Sequence, residues 1–294
     1  MTYPEVKQIN EIVAAAHKIV IIQAENPDGD SLGSALALEQ ILGALGKEPL
    51  LYCAIDMPTY LRYLPGWDRV EHELPHEFDA SIIVDASTMT LFEHLTAPDQ
   101  KRLAGKPCIV LDHHEIVENQ VLFATVTLND HQRASTGELI YMIAHQVQWP
   151  IDQNSGEFIC ASILGDTQGL TNQLASAETY RIMADLIERG VNRPKLEEMR
   201  REYGKMPPEI FKYKAELISR TEFAHDGRVA YVAVPQEEIS RYSPLYNPAP
   251  LIQTDMLQTT NVEVAVVFKV YSDGKITGAI RCNPKAPIGA RLAE

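Results

Sequence analysis

Lys18-Ile19-Val20-Ile21-Ile22-Gln23 is followed by Ala24-Glu25 and then by Asn26-Pro27-Asp28-Gly29-Asp30-Ser31-Leu32-Gly33-Ser34. The first run is short, continuous and β-branched, which predicts a strand covered on both faces. The second places two aspartates one residue apart in a glycine-containing turn. Beyond it, residues 34–45 are rich in Ala and Leu and predict a helix, stopped at Gly46. Strand, polar turn and helix make the opening of a βαβ unit.

The same grammar repeats downstream. Residues 49–54 predict a second strand, and Ser81-Ile82-Ile83-Val84 and Cys108-Ile109-Val110-Leu111 predict two more buried ones. Strands alternating with helices imply a largely parallel sheet flanked by helices, an α/β fold. Three further polar groups follow apolar runs: Asp85 after residues 81–84, Asp112-His113-His114 after 108–111, and Gly165-Asp166-Thr167 after the run 158–164. Groups just past the carboxyl ends of parallel strands converge on one crevice. Carboxylates gathered there would repel one another and raise their own pKa values, and divalent cations offset that repulsion. Oxygen donors with one or two imidazoles suit Mn²⁺ or Mg²⁺ better than a thiolate-loving structural zinc. Two such ions about 4 Å apart are suited to phosphoryl transfer to water.

Composition agrees. The net charge of −14 is uneven: residues 1–190 hold 11 Lys and Arg against 27 Asp and Glu, whereas residues 191–294 hold 15 against 13. The acidic part suits cations, and the part richer in Lys and Arg suits phosphate. The four cysteines lack any Cys-x-x-Cys spacing and read as buried hydrophobes of a reducing compartment. The start at Met1 carries no secretory pattern, and no apolar run approaches the roughly 20 residues of a membrane span, so a cytoplasmic protein is expected.

In the last third, residues 209–219 predict a helix, 228–234 and 262–268 predict strands, and Ser272-Asp273-Gly274-Lys275 predicts a hairpin turn into 276–281. The expected layout is a metal-binding catalytic domain over 1–190, a linker over 191–208 and a smaller α/β substrate-binding domain over 209–294. Residues 287–294 read as a helix opening without a stop signal, so a C-terminal piece is expected to be missing. Ser135 and Glu138 read as a helix capping box.

On the motifs around Asp28 and Asp30, Val84-Asp85, Asp112-His113-His114 and Gly165-Asp166-Thr167, the sequence resembles the DHH phosphoesterase family over nearly its whole length. Within it the layout is similar to the NrnA-type branch of oligoribonucleases and pAp phosphatases. The resemblance implies a Mn²⁺-dependent hydrolase (Mg²⁺ being the alternative) of short RNA or nucleotide phosphates, working by attack of a metal-bound hydroxide. It implies that Asp28 and Asp85 hold one ion and that Asp30, Asp85, His113 and Asp166 hold the other, with Asp85 bridging. Asp85, His114 and Asp28 become the catalytic candidates. His114, Gly33, Ser34 and Arg281 become the substrate-binding ones, and Asp112 the residue that orients His113. A homodimer is a further expectation. Two departures stand out. The family places a histidine four residues before its first aspartate, where this chain has Ala24, so that ion is expected to bind weakly or to use water, Glu25 or the substrate instead. The family's Gly-Gly-Gly-His stretch is also absent before Glu294. A nucleotide-binding homologue without turnover is the alternative.

Overall fold

The structure is a computed structural model that describes residues 2–115, 119–243 and 247–283. The chain divides into two units, Met1–Gly204 and Lys205–Glu294. The helix opening read from the sequence at 287–294 lies outside the described residues.

The first unit carries α1 (Glu5–Ala15), β1 (Lys18–Gln23), α2 (Gly29–Ala44), β2 (Glu48–Tyr52), β3 (Ala80–Val84), α3 (Ala97–Ala104), β4 (Cys108–Asp112), β5 (Val126–Asn129), α4 (Thr136–Val147), α5 (Gln153–Asp166), α6 (Ala177–Glu188) and α7 (Arg193–Tyr203). Its five strands run parallel in the order β2-β1-β3-β4-β5. Chain direction across the sheet reverses between β1 and β3, and a ligand crevice forms outside the strand carboxyl ends at such a reversal.

Alternation along the strands sends side chains to two cores. Ile19, Ile21, Ile82 and Leu111 join Leu36, Ile140 and Ile159 on the face covered by α2, α4 and α5. Val20, Ile22, Ile83 and Val110 join Phe78 and Leu103 on the other face. Both faces of the central strands are dry, which is why their sequences are continuously apolar rather than alternating. The 191–208 segment, read as a linker, contains α7, and Leu196 of that helix is buried in the first unit's core. No helix among the described residues is long and apolar enough to cross a membrane.

The second unit holds α8 (Pro208–Ser219), β6 (Glu222–Ala224), β7 (Val229–Pro235), α9 (Gln236–Tyr242), α10 (Pro248–Leu257), β8 (Val264–Val270) and β9 (Ile276–Cys282). Its sheet is mixed, in the order β6-β7-β8-β9, with β7 and β8 parallel and the outer pairs antiparallel. Val232 and Val267 pack against Tyr213 of α8 and Ile252 of α10. The hairpin turn forms as its residues dictate: Gly274 takes φ +86°, and Asp273 Oδ1 accepts the Lys275 amide at 2.9 Å.

Candidate metal centre

The acidic groups come from the start of α2, the ends of β3 and β4, and the end of α5. Asp28 is the N-cap of α2, its Oδ1 accepting the amides of Asp30 at 2.9 Å and Ser31 at 3.0 Å. This cap starts the helix at Gly29 rather than at the expected residue 34, because it satisfies the first free amides. Asp30 is therefore a first-turn helical residue, and it is fully buried. Asp85 follows β3 with φ +59°, a left-handed conformation that costs a non-glycine residue energy and that clusters at functional sites. Asp112 ends β4, and His113 and His114 follow it. Asp166 comes from a helix rather than a strand end: residues 158–164, read from sequence as an apolar run, are the interior of α5, and Asp166 closes that helix. The run is apolar because α5 is buried between neighbours. Periodicity alone does not separate a short buried strand from a buried helix segment.

The groups meet around one nitrogen. His113 Nε2 lies 2.9 Å from Asp166 Oδ2, 3.3 Å from Asp30 Oδ2 and 3.7 Å from Asp85 Oδ1. His114 Nδ1 lies 3.6 Å from Asp85 Oδ1. Ligand atoms of Asp30, His113 and Asp166 fall within 4.8 Å of one another, as do those of Asp85, His113 and His114. His113 Nε2 is buried without a well-aligned hydrogen bond, while the other ring nitrogen, Nδ1, faces the Arg133 carbonyl at 3.3 Å. A carbonyl on Nδ1 favours a proton there and leaves the Nε2 lone pair for a cation. Carboxylate oxygens around such a nitrogen fit Mn²⁺ or Mg²⁺.

The electrostatics are those of a cation site with only protein charges in it. Loss of solvent, then the charges of Asp30, Asp28 and Asp166, push the Asp85 carboxyl well above its ordinary value. Asp28 rises to about 6, first through desolvation and then through Asp30 and Asp166, against the pull of its two amide donors. Asp166 rises by desolvation, opposed by His113. Burial works against a charged His113, but Asp166 and Asp30 outweigh it and raise the ring to about 9. His114 is raised chiefly by its hydrogen bond to Asp112.

Several residues differ in role from their sequence reading. Ser34 is fully buried and its hydroxyl donates to Asp30 Oδ1 at 3.0 Å, so it supports a metal-site carboxylate rather than reaching a substrate. Gly33 faces α5: a Cβ there would meet the Phe158 carbonyl at 2.8 Å, so the glycine serves helix contact and not phosphate approach. Asp112 Oδ1 accepts the His113 and His114 amides at 2.8 and 3.2 Å, but the ring it holds is that of His114, at 2.8 Å. Glu25 is not free to replace the missing histidine. Its carboxylate holds His94, with Oε1 on the His94 amide at 2.7 Å and Oε2 2.6 Å from Nδ1. Ala24 itself is buried in the second core. Arg281 is exposed on β9, with Nη1 3.4 Å from Thr254 Oγ1 of the same unit.

The sequence reading missed the amino end of α4. Ser135 caps Glu138 as expected, but Glu138 does not close the box and bonds Thr179 instead. The same turn cradles the carboxylates: the Thr136 amide donates to Asp30 Oδ2 at 2.7 Å, the Gly137 amide to Asp30 Oδ1 at 3.2 Å, and Thr136 Oγ1 to Asp85 Oδ1 at 3.2 Å. Ser162 of α5 adds a 2.6 Å bond to Asp30. Thr136 and Gly137 were signalled only by the cap at Ser135, since a capped helix start leaves its first amides free for other acceptors; nothing in the sequence marked Ser162.

Comparison with known proteins places the chain in a family. Residues 18–164 match the model of the DHH family, N-terminal domain. The chain is 26% identical over 242 residues to the bifunctional oligoribonuclease and PAP phosphatase NrnA of Thermus thermophilus, covering 80% of this chain and 69% of that protein. The probable bifunctional oligoribonuclease and PAP phosphatase NrnA of Streptococcus mutans is 23% identical over 269 residues, covering 91% of this chain and 82% of that protein. A crystal structure of an exopolyphosphatase-related protein from Bacteroides fragilis superposes with a TM-score of 0.87 at 20% identity, over 100% of this chain and 88% of that one. The family match spans half of the sequence and contains Asp28, Asp30, Asp85, Asp112, His113 and His114. The chain belongs to the DHH family.

Proposed function

We propose that this chain is a divalent-metal-dependent phosphoesterase acting on short oligoribonucleotides or nucleotide phosphates such as pAp. The observation that carries this reading is the convergence of Asp30, Asp85 and Asp166 on His113 Nε2. Mn²⁺ is the favoured ion, because an imidazole among carboxylates suits it better than Mg²⁺. A bound cation supplies charge stabilisation at a phosphoryl oxygen and acidifies water. The protein's own groups do the rest. Asp30 is locked by donors from α2, α4 and α5, which fixes the spacing of the ligands. Asp112 orients the half-exposed His114 ring, leaving Nε2 to donate to a substrate phosphate. Arg281 is a candidate phosphate contact from the second unit. The work is assigned to the cytoplasm, on substrates that the names of the relatives suggest.

A second reading is a nucleotide-binding homologue without turnover, favoured by Ala24 and by the engagement of Glu25 with His94. Incubation with Mn²⁺ and either a two- to five-nucleotide RNA or pAp separates the two. Product formation that is lost with EDTA and in Asp85→Asn supports the enzyme. Binding without product, unaffected by Asp85→Asn, overturns it.

A further inference from the structure

The segment between β5 and α4 supplies the Arg133 carbonyl to His113, and the first turn of α4 that it leads into supplies the Thr136 and Gly137 amides to Asp30. What holds that segment is a buried charged network. The Arg133 side chain is almost fully enclosed. Its Nε donates to Asp130 Oδ2 at 3.0 Å and its Nη1 to Glu138 Oε1 at 3.3 Å. Glu138 is fully buried and takes Thr179 Oγ1 on its other oxygen at 2.7 Å. Asp130 takes the Tyr3 hydroxyl at 2.7 Å, the Gln132 amide at 3.0 Å and, through its carbonyl, the Arg133 amide at 3.0 Å. The Asp130 amide in turn donates to the Asp112 carbonyl at 3.1 Å, tying the segment to the strand that precedes His113.

We propose that Arg133 is a positioning residue for the metal centre: clamped between Asp130 and Glu138, it fixes its own carbonyl against His113 Nδ1 and so aims Nε2 at Asp30, Asp85 and Asp166. A generic stabilising ion pair would not need its backbone oxygen on a ligand ring. A buried pair of charges is a poor source of net stability beside apolar packing, whereas it is well suited to fixing one geometry. Outer partners of a ligating imidazole set its tautomer and orientation, and their loss typically weakens metal binding about 10- to 100-fold.

This inference rests on the metal-binding reading above. The test is Mn²⁺ titration calorimetry of the full chain for wild type, Arg133→Met and Arg133→Lys, with electron spin-echo modulation of bound Mn²⁺ reporting coordinated imidazole nitrogen. Arg133→Met is expected to raise the dissociation constant about 10- to 100-fold and to weaken the nitrogen modulation, with Arg133→Lys recovering most of both. Wild-type affinity and modulation in folded Arg133→Met overturn the proposal. If Arg133→Met does not fold, Tyr3→Phe, which takes a hydroxyl from Asp130 and from the weaker acceptor Met142 Sδ, is expected to weaken binding several-fold, and an unchanged constant there overturns the proposal. A wild-type protein that binds no Mn²⁺ defeats the phosphoesterase reading instead. The clamp is then judged in the metal-free protein by amide hydrogen exchange over 130–138, which must quicken in Arg133→Met or Tyr3→Phe for it to stand.

Discussion

Ser162 Oγ donates to Asp30 Oδ1 at 2.6 Å, joining the middle of α5 to the first turn of α2 across 132 residues of chain. The Gly137 amide donates to the same serine oxygen at 3.0 Å. Three helices thus meet at one buried carboxylate. Ser162→Ala should cost about 1–3 kcal/mol, the range for stripping a donor from a buried polar group. Urea denaturation of the metal-free protein measures it, and a loss below a few tenths of a kcal/mol would show the bond to be dispensable.

Gly137→Ala should be worse tolerated than an ordinary helix substitution. A Cβ there would lie 2.1 Å from Ser162 Oγ and 2.6 Å from Ser162 Cβ, so α4 and α5 must separate. Overpacking of this kind costs about 1–3 kcal/mol. The shift also pulls two amides from Asp30, so Mn²⁺ affinity should fall with stability. Unchanged affinity in a destabilised variant would contradict the coupling.

Asp85→Asn should stabilise the metal-free protein while removing its response to metal. Burial and the charges of Asp30, Asp28 and Asp166 oppose ionisation of Asp85, and asparagine tolerates the left-handed backbone found there. Thermal melts with EDTA should therefore rise in the variant. Melts with Mn²⁺ should rise in wild type and stay flat in the variant. A variant that gains as much as wild type from Mn²⁺ would remove Asp85 from the ligand set.

Without metal, stability should fall as pH rises through two windows. Asp28 moves from 3.8 unfolded to about 6 folded, so the native state holds the extra proton between those values, and stability declines across them. His113 moves from 6.5 to about 9, so its contribution is complete below 6.5 and is lost as pH climbs through about 9. Cations compete with these protons. Mn²⁺ should therefore stabilise more at pH 8 than at pH 6 and release protons on binding, which calorimetry in buffers of different ionisation enthalpy detects. Binding without proton release at pH 7 would contradict the His113 assignment.

Ala24→His restores the imidazole that the DHH resemblance expects beside Asp28. It should raise Mn²⁺ affinity and turnover, read by calorimetric stoichiometry and by the RNA assay. The cost is steric, because Ala24 is buried and its carbonyl already accepts Cys53 Sγ at 3.3 Å. A fall in both quantities would show that the missing ligand belongs elsewhere.

Much was legible in residues 18–34 and their downstream echoes. Continuous β-branched runs marked β1, β3 and β4, because a strand buried on both faces leaves no polar alternation. A polar cluster after each run marked Asp28, Asp30, Asp85 and Asp112-His113-His114, because strand ends are where a parallel sheet opens to solvent. Asp166 was marked by an apolar run too, and that run is the buried helix α5 rather than a strand.

The sequence by itself determined the parallel α/β layout and the acidic and imidazole groups gathered at the strand ends, which depend on residue type and local spacing; the replacement at Ala24 follows from the resemblance to the DHH family. Only the tertiary structure decided which ring nitrogen of His113 faces the carboxylates, that Asp112 holds His114, that Ser34 supports Asp30 while Gly33 serves helix contact, and that Arg133 anchors the segment between β5 and α4. Some are contacts between distant segments, as where Gly33 meets the Phe158 carbonyl; others are choices among local partners or between two ends of one side chain. Such choices are set by packing and hydrogen-bond satisfaction in the folded interior, which local spacing does not encode.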